Sequence, residues 1–385
     1  MSRESDFVSN IGEQSDVQIP FPLVPDESAK MLNEKQEFDY RNHREKFARW
    51  LLREGKEPDE KIGYAEATAK RTMYRLGLFE RFVWKKEDEY VAVPTTDHAD
   101  SFIDAVAYSD KSQSHKKKCL TSVKRYFKWR HCEYDEPDWD PDQTFSTNNS
   151  QQPQDYLTKG ERQELREAAL EYGTIPSYST VKCKEERRER LKPYVAEHTG
   201  TPVEELGVDD WEENEIPSWR YTSMVWASLD AGLRPDEVAS AKTSWVDVEN
   251  AVLRIPKEES SKNFDNWEVS LRTDTARALE RWMHERSHYP MFDDTDQLWL
   301  TTHGNPFTPR SLRRLLRRLC DRAGIEYENR RMSWYSIRHS VGTYMTREED
   351  LAAAQAQLRH KSPETTMKYD AAPVSDRRDA LDKMG

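Results

Sequence analysis

Six side chains in the second half of the chain have the types and spacing for phosphodiester chemistry. Arg234 lies in AGLRPDEVA, Lys262 precedes a strand-like segment, and Arg338 and His339 sit in SIRHSVGTYM. His360 and, nine residues later, Tyr369 belong to LRHKSPETTMKY. A phosphodiester under attack gathers charge on its equatorial oxygens, and guanidinium forks bind two such oxygens at once. Arg234 and Arg338 suit that clamp. A phenol, with an ordinary pKa near ~10, must lose its proton as it attacks. Tyr369 is the candidate nucleophile, and His339, next to Arg338, can take the proton. Lys262 can protonate the departing 5′ oxygen, while His360 hydrogen-bonds the phosphate or orients the tyrosine. Such a reaction leaves a 3′-phosphotyrosine and a free 5′-hydroxyl, and conserves the bond for religation without ATP. Each residue alone also has a plain structural reading: a salt-bridged arginine, a satisfied histidine, an aromatic packed on the core. The set together favours the chemistry.

The residues show no metal-ligand spacing of His, Asp or Glu, which disfavours a metal nuclease and implies no cofactor. Cys119, Cys132, Cys183 and Cys320 stand 13, 51 and 137 residues apart, which fits neither a zinc knuckle nor a disulfide scaffold. A second feature is the segment 309–323. Leu312, Leu315, Leu316 and Leu319 form an apolar helical stripe, and Arg310, Arg313, Arg314, Arg317 and Arg318 fill the remainder. These arginines suit phosphate contacts along a duplex, which position a protein more than they specify sequence. A comparable basic surface is offered near the N-terminal side by His115, Lys116, Lys117, Lys118, Lys124, Arg125, Lys128 and Arg130. Together the two suggest a clamp on double-stranded DNA.

Net charge has the opposite sign to that expectation. The 385 residues hold 59 Lys and Arg against 71 Asp and Glu, a formal charge of -12. The distribution is uneven: 301–345 carries nine Arg and three acids, whereas 133–142 and 204–215 hold six and seven acids with no base. A field that is negative overall can contain a positive groove. Acidity at this density also suits concentrated salt, where screening lengths fall to about 3 Å at 1 M, so a halophilic cytoplasm is expected. Mean hydropathy is -1.00, yet 12 Trp, 17 Tyr and 12 Phe supply core material. No apolar run approaches membrane-spanning length and the N-terminus has no secretory h-region, so a cytoplasmic protein is expected.

The elements that must position these groups are mostly helical. Residues 1–35, with Pro20, Pro22 and Pro25, read as a flexible arm. Four helical stretches follow within 36–132: 37–53, 64–84, 98–109 and 116–130. The acidic, proline-containing stretch 133–154 reads as a linker. A second domain, 155–385, opens with Thr158 as N-cap and Glu161 three residues later, the capping-box spacing. The charged segment 183–219 reads as an insertion with no assigned role. Beyond it, helices at 219–231 and from Pro235 precede a hairpin or three-stranded sheet, WVDVENAVLRIPKE and NWEVSLR. Then come a helix (TARALERWMHER), a short strand (LWLTTHG), the 309–323 helix, a helix through SIRHSVGTYMTRE and a last pair at LAAAQAQL and ETTMKY.

From about residue 225 onward the chain resembles the tyrosine recombinases of the phage integrase and Xer type, and more weakly from about 37. The family's A-x-G-x-R-x-x-E appears within SLDAGLRPDE, its H-x-x-R-H box as Tyr335–His339, and its L-G-H…Y box as LRHKSPETTMKY. The resemblance implies a fold that is mainly α with a small β-sheet: a helical core-binding (SAM-like) domain followed by a mixed α/β tyrosine recombinase catalytic domain. It implies that Glu237 braces the site, and that the hairpin lysine is Lys262, counted back from Val269-Ser270-Leu271, with Lys257 the rival. It further implies a homotetramer on two recombination sites, a last helix (ALDKM) reaching a neighbouring protomer, and no membrane partner. Two departures stand out. Tyr335 replaces the usual histidine or lysine, which removes a positive charge, and Arg359 replaces a glycine, which leaves that turn less constrained and adds a cation near DNA. A DNA-binding or architectural protein on the same fold, a type IB topoisomerase-like enzyme and a helix-turn-helix regulator are the alternative readings.

Overall fold

The computed structural model describes residues 17–146, 155–178, 185–212, 216–260, 265–367, 369, 381, 382 and 384. The chain divides into two compact units, Met1–Gln151 and Gln152–Gly385. Lys262, Cys183 and, within the ALDKM segment, Ala380 and Lys383 lie outside the described residues.

The first unit contains α1 (Asp26–Ala29), α2 (Glu34–Arg53), α3 (Glu66–Glu87), α4 (Thr96–Ala107) and α5 (Gln113–Tyr134). Helix α2 starts at a capping box in which the Asn33 side chain takes the Gln36 amide, and α4 at one between Thr95 and His98. Their apolar stripes meet in a core of Phe47, Leu51, Leu76, Phe79, Val83, Ile103, Val123 and Phe127, whereas Phe38 points outward at 68% exposure. The arm expected up to residue 35 is packed from residue 17 onward: Ile19, Phe21 and Leu23 join this core and α1 follows them. The expected linker likewise contributes Trp139 and Phe145 to the same core. Both segments are polar by average composition. Their isolated aromatics, which no period marks, decide their placement.

A buried polar cluster ties α2 to α3. Arg44 pairs with Glu80 while donating to the Leu23 carbonyl (2.6 Å), the Met73 carbonyl (2.7 Å) and the Tyr40 hydroxyl (3.0 Å). Tyr40 in turn donates to Glu80 at 2.6 Å. Truncating one partner strands the other charge without water. Arg44→Ala is expected to cost about 3–5 kcal/mol, measured by urea unfolding of the full chain.

The second unit comprises α6 (Lys159–Leu170), α7 (Glu185–Thr199), α8 (Val208–Glu212), α9 (Trp219–Ala231), α10 (Pro235–Ser240), β1 (Val246–Asp247), β2 (Val252–Ile255) and β3 (Trp267–Ser270). It continues with α11 (Thr273–Arg286), α12 (Pro309–Ala323), α13 (Trp334–Glu348), α14 (Leu351–Leu358) and α15 (Pro363–Met367). The three strands form an antiparallel sheet in the order β1-β2-β3, with Leu253 opposite Val269 and Ile255 opposite Trp267. Thr158 and Glu161 form the expected capping box on α6. Helix α9 is central. Met224, Val225, Ala227 and Leu229 are fully buried, and they share one core with Leu312, Leu315, Leu316 and Leu319 of α12 and Trp334 and Ile337 of α13.

Two expectations change here. The segment at Leu298–Leu300 is not a strand: only Gln297 makes an isolated bridge, to Lys242, and the three apolar side chains are all buried in the core. A short apolar run does not distinguish a buried connector from a strand. The charged insertion has an apolar core of its own, formed by Ile175, Leu191, Tyr194, Val195, Trp211 and Ile216. It is fastened to the end of α11 by Arg190, which pairs with Asp293 and donates to the Ser287 carbonyl at 3.0 Å.

Candidate active site

Gly232 ends α9 in the left-handed conformation, φ 57°, and so turns the chain into Arg234, the N-cap of α10. A Cβ at Gly232 would lie 2.6 Å from Leu358 Cδ2, so only glycine permits α14 to approach this closely. Its carbonyl accepts Arg338 Nη1 at 2.6 Å. Arg338 also donates to the Leu358 carbonyl and bonds His360 Nε2 at 3.0 Å. One buried guanidinium from α13 therefore holds the end of α9 against the end of α14. Burial, with Arg359 and Arg234 close by, pushes its pKa down to about 9, still charged at neutral pH.

Glu237 sits under these arginines at 2% exposure. Its carboxylate accepts Arg234 Nη1 at 2.6 Å, the Arg234 backbone amide at 2.7 Å and Arg359 Nη2 at 2.7 Å. Burial raises its pKa, but Arg359, Arg234 and Arg338 outweigh that and hold it at about 2. Arg359 is not the DNA-facing cation expected from the sequence. It is 4% exposed, and besides Glu237 it donates to the Ala231 and Gln357 carbonyls at 2.8 and 2.9 Å. Nor is its turn relaxed, because Arg359 itself takes φ 56° as the C-cap of α14. A non-glycine residue in that region costs roughly 1 kcal/mol; the Glu237 carboxylate and the carbonyls of Ala231, Gly232 and Gln357 around the guanidinium offset it.

Tyr369 lies beside this frame, 4% exposed. Its ring centroid is 5.3 Å from that of His339 and 6.0 Å from that of His360, whose plane is parallel to within 3°. His360 Nδ1 is 2.9 Å from Thr366 Oγ1. Because Arg338 occupies Nε2 as a donor, the network assigns the proton to Nδ1 and makes His360 a neutral acceptor. Burial raises the Tyr369 pKa, while Arg338, which also hydrogen-bonds the phenol, and Arg234 lower it. Gly342 of α13 makes room for the ring: a Cβ there would stand 2.8 Å from Tyr369 Cγ and 2.8 Å from Leu358 Cδ1. Gly342→Ala is accordingly expected to destabilise by about 1–3 kcal/mol and to displace the tyrosine, seen as a lowered Tm with a disproportionate loss of activity.

The structure thus brings Arg234, Glu237, Arg338, His339, Arg359, His360 and Tyr369 together. Tyr335 stands 40% exposed on the first turn of α13. Lys257 follows β2, exposed, with its amide on Asn266 Oδ1 at 2.8 Å. Two further residues escaped the sequence reading. Gln357 donates to the Asp230 and Ser270 carbonyls at 2.9 and 2.8 Å, joining α14 to α9 and β3. Thr366 accepts the His360 Nδ1 proton at 2.9 Å; its place three residues before Tyr369 was its only signal.

Among the basic candidates, Arg310, Arg313, Arg314 and Arg317 are exposed along α12, and none has an ion pair among the described residues. Arg317 lies over the Tyr327 ring at 5.7 Å. In the first unit Lys117 is exposed and Lys128 half-buried, while Lys124 pairs with Asp140 at 2.8 Å. Lys116 is buried, its ammonium on the Ala107 carbonyl at 2.6 Å, and so it closes the α4–α5 connection instead of facing outward.

No described helix is long and apolar enough to cross a membrane. Residues 210–374 match the Phage integrase family. Tyrosine recombinase XerC of Anoxybacillus flavithermus (strain DSM 21510 / WK1) is 25% identical over 154 residues, 39% of this chain and 49% of XerC. The match therefore spans about half the length of that curated relative. Among solved structures, XerH site-specific recombinase bound to palindromic difH substrate superposes with a TM-score of 0.53 at 15% identity, over 92% of this chain and 90% of that one. The Tn1549 transposon integrase in complex with transposon right end DNA gives 0.50 at 14%, over 87% and 98%. At these identities the structural likeness establishes the fold, mainly α-helical with a small α/β region. The family match, confined to residues 210–374, and the shared fold are thus likenesses to tyrosine recombinases and phage integrases at low sequence identity.

Proposed function

We infer that this protein is a site-specific DNA recombinase that cleaves and rejoins strands through a 3′-phosphotyrosine. The observation that carries the reading is the buried Tyr369 phenol hydrogen-bonded to Arg338, with the His339 and His360 rings 5.3 and 6.0 Å from its own. In this mechanism a scissile phosphate enters beside Arg234 and Arg338, whose forks take its non-bridging oxygens. The Tyr369 oxygen attacks phosphorus as its proton passes to His339. The bond to the 5′ oxygen breaks, and that oxygen takes a proton from the lysine of the β2–β3 connection, Lys262 or Lys257. Reversal by another 5′-hydroxyl rejoins a strand. The similar proteins include a site-specific recombinase bound to its difH substrate and an integrase in complex with transposon end DNA, which supports a DNA substrate; a four-protomer assembly on two sites is part of the proposal.

The test is a nicked duplex carrying sequence that flanks the protein's own gene, with denaturation-resistant protein–DNA adduct as the readout. Adduct formation is expected, mapped to the peptide bearing Tyr369. Its rate should rise with pH as the phenol becomes easier to deprotonate. Because Arg234 lowers the Tyr369 pKa, Arg234→Ala should move the alkaline limb to higher pH as well as slow the reaction. A limb that stays in place would separate Arg234 from the nucleophile.

A further inference from the structure

On the opposite stripe of α13 from Tyr369 there is a cleft of about 220 Å³, lined by Lys159, Arg162, Arg166, Asp230, Arg272 and Tyr344 among others. Its charges do not balance. Four cations converge from α6 and the β3–α11 junction. Asp230 is the acid inside, and Glu348 pairs with Lys159 at the rim. Asp230 is already committed: one oxygen takes Arg166 at 2.8 Å, the other the backbone amide of Arg272 at 2.9 Å.

Arg162 is the informative member. Its two hydrogen bonds among the described residues go to neutral oxygens, Ser340 Oγ at 2.6 Å and the Leu229 carbonyl at 2.8 Å. A guanidinium has five N–H donors in a planar fork, so donors remain for the cleft. Burial lowers its pKa, and the charges of Arg166 and Arg272 lower it further against Asp230. The Arg272 side chain is exposed beside it, with no bonded partner among the described residues. Two forks and an ammonium around an open space, short of carboxylates, are the chemistry that binds a phosphoryl group.

We propose that this cleft is a second anion site, in which Arg162, Arg272 and Lys159 bind a phosphate oxyanion distinct from the scissile one. The ligand chemistry is a phosphate, whether a backbone phosphate of the duplex or a free phosphate anion. Through Ser340, two residues from Arg338 on α13, an occupant would also stiffen the helix that carries Arg338 and His339. The duplex source rests on the recombinase reading; the anion site itself does not.

Two measurements on the full chain test it, using wild type, Lys159→Ala, Arg272→Ala and the charge-matched control Arg277→Ala, an exposed residue outside the cleft. In the first, thermal unfolding is followed as inorganic pyrophosphate is added at ionic strength held constant with chloride. Pyrophosphate should raise the Tm of wild type and Arg277→Ala, and raise it less in the two cleft variants. In the second, duplex affinity is measured against salt. Each lost phosphate contact should reduce the slope of log K on log salt by about 0.9, roughly an eightfold weakening at 0.1 M. Changes in both, or in the slope alone, identify a duplex phosphate as the occupant. A change only with pyrophosphate identifies a free anion. If wild type binds no duplex but retains the pyrophosphate effect, the recombinase reading falls while the anion site stands. Cleft variants that match Arg277→Ala in both measurements overturn the proposal.

Discussion

Tyr369→Phe forms no covalent adduct with a nicked duplex, while binding to intact duplex is retained. The expected loss is on the order of 10³-fold or more, because the substitution removes the attacking atom itself. Little else should change. The phenylalanine ring fills the space that Gly342 leaves open, near His339 and His360. Arg338 loses the phenol but keeps the Gly232 and Leu358 carbonyls and His360, so its charge stays hydrogen-bonded. Stability should therefore fall by about 1 kcal/mol at most. Tyr335→Phe is the paired control. Adduct that survives in Tyr369→Phe and disappears in Tyr335→Phe would transfer the nucleophile to the exposed phenol.

The second large effect concerns Glu237. Its folded-state pKa of about 2 against an ordinary value of 4.5 corresponds to about 3 kcal/mol of stability. The sign follows from the depression: the contribution is complete above pH 4.5 and is lost as pH falls toward 2. Glu237→Gln should cost about 3–5 kcal/mol near neutral pH, since it leaves the buried Arg359 and the partly buried Arg234 without their carboxylate. It should also flatten the acid limb of the stability profile, so that wild type and variant converge at low pH. Denaturant unfolding at a series of pH values measures both. A variant as stable as wild type at neutral pH, or one that keeps the full acid dependence, would remove Glu237 from this role.

The helices of both units were legible because amphipathic period and capping chemistry are local: the stripe on α12 and the Thr158–Glu161 box on α6 each need only one turn of neighbours. The site was legible for a different reason. Arg234, Arg338, His360 and Tyr369 are types whose chemistry is specific, and a motif preserves their intervals. What misled was mean polarity. Phe21, Trp139 and Phe145 sit in stretches that average out as arm and linker, yet each finds the first unit's core. The insertion was unreadable for the same reason: Leu191, Tyr194 and Trp211 are scattered among charges, and their shared core exists only once α7 folds back on Ile175 and Ile216.

Sequence alone pointed to residues whose types suit chemistry on a phosphodiester and to the helices that carry them. It could not say which charges are spent internally, because the partner of a charge is chosen by tertiary contact. Arg359 looked like a free cation and is buried against Glu237, whereas Arg162 drew no notice and stands in a cleft short of acids. Lys116 belonged to a basic run yet turns inward to the Ala107 carbonyl. Residue type and spacing determine the available chemistry; packing distant segments together, by fixing desolvation and the nearest opposite charge, decides where each charge acts.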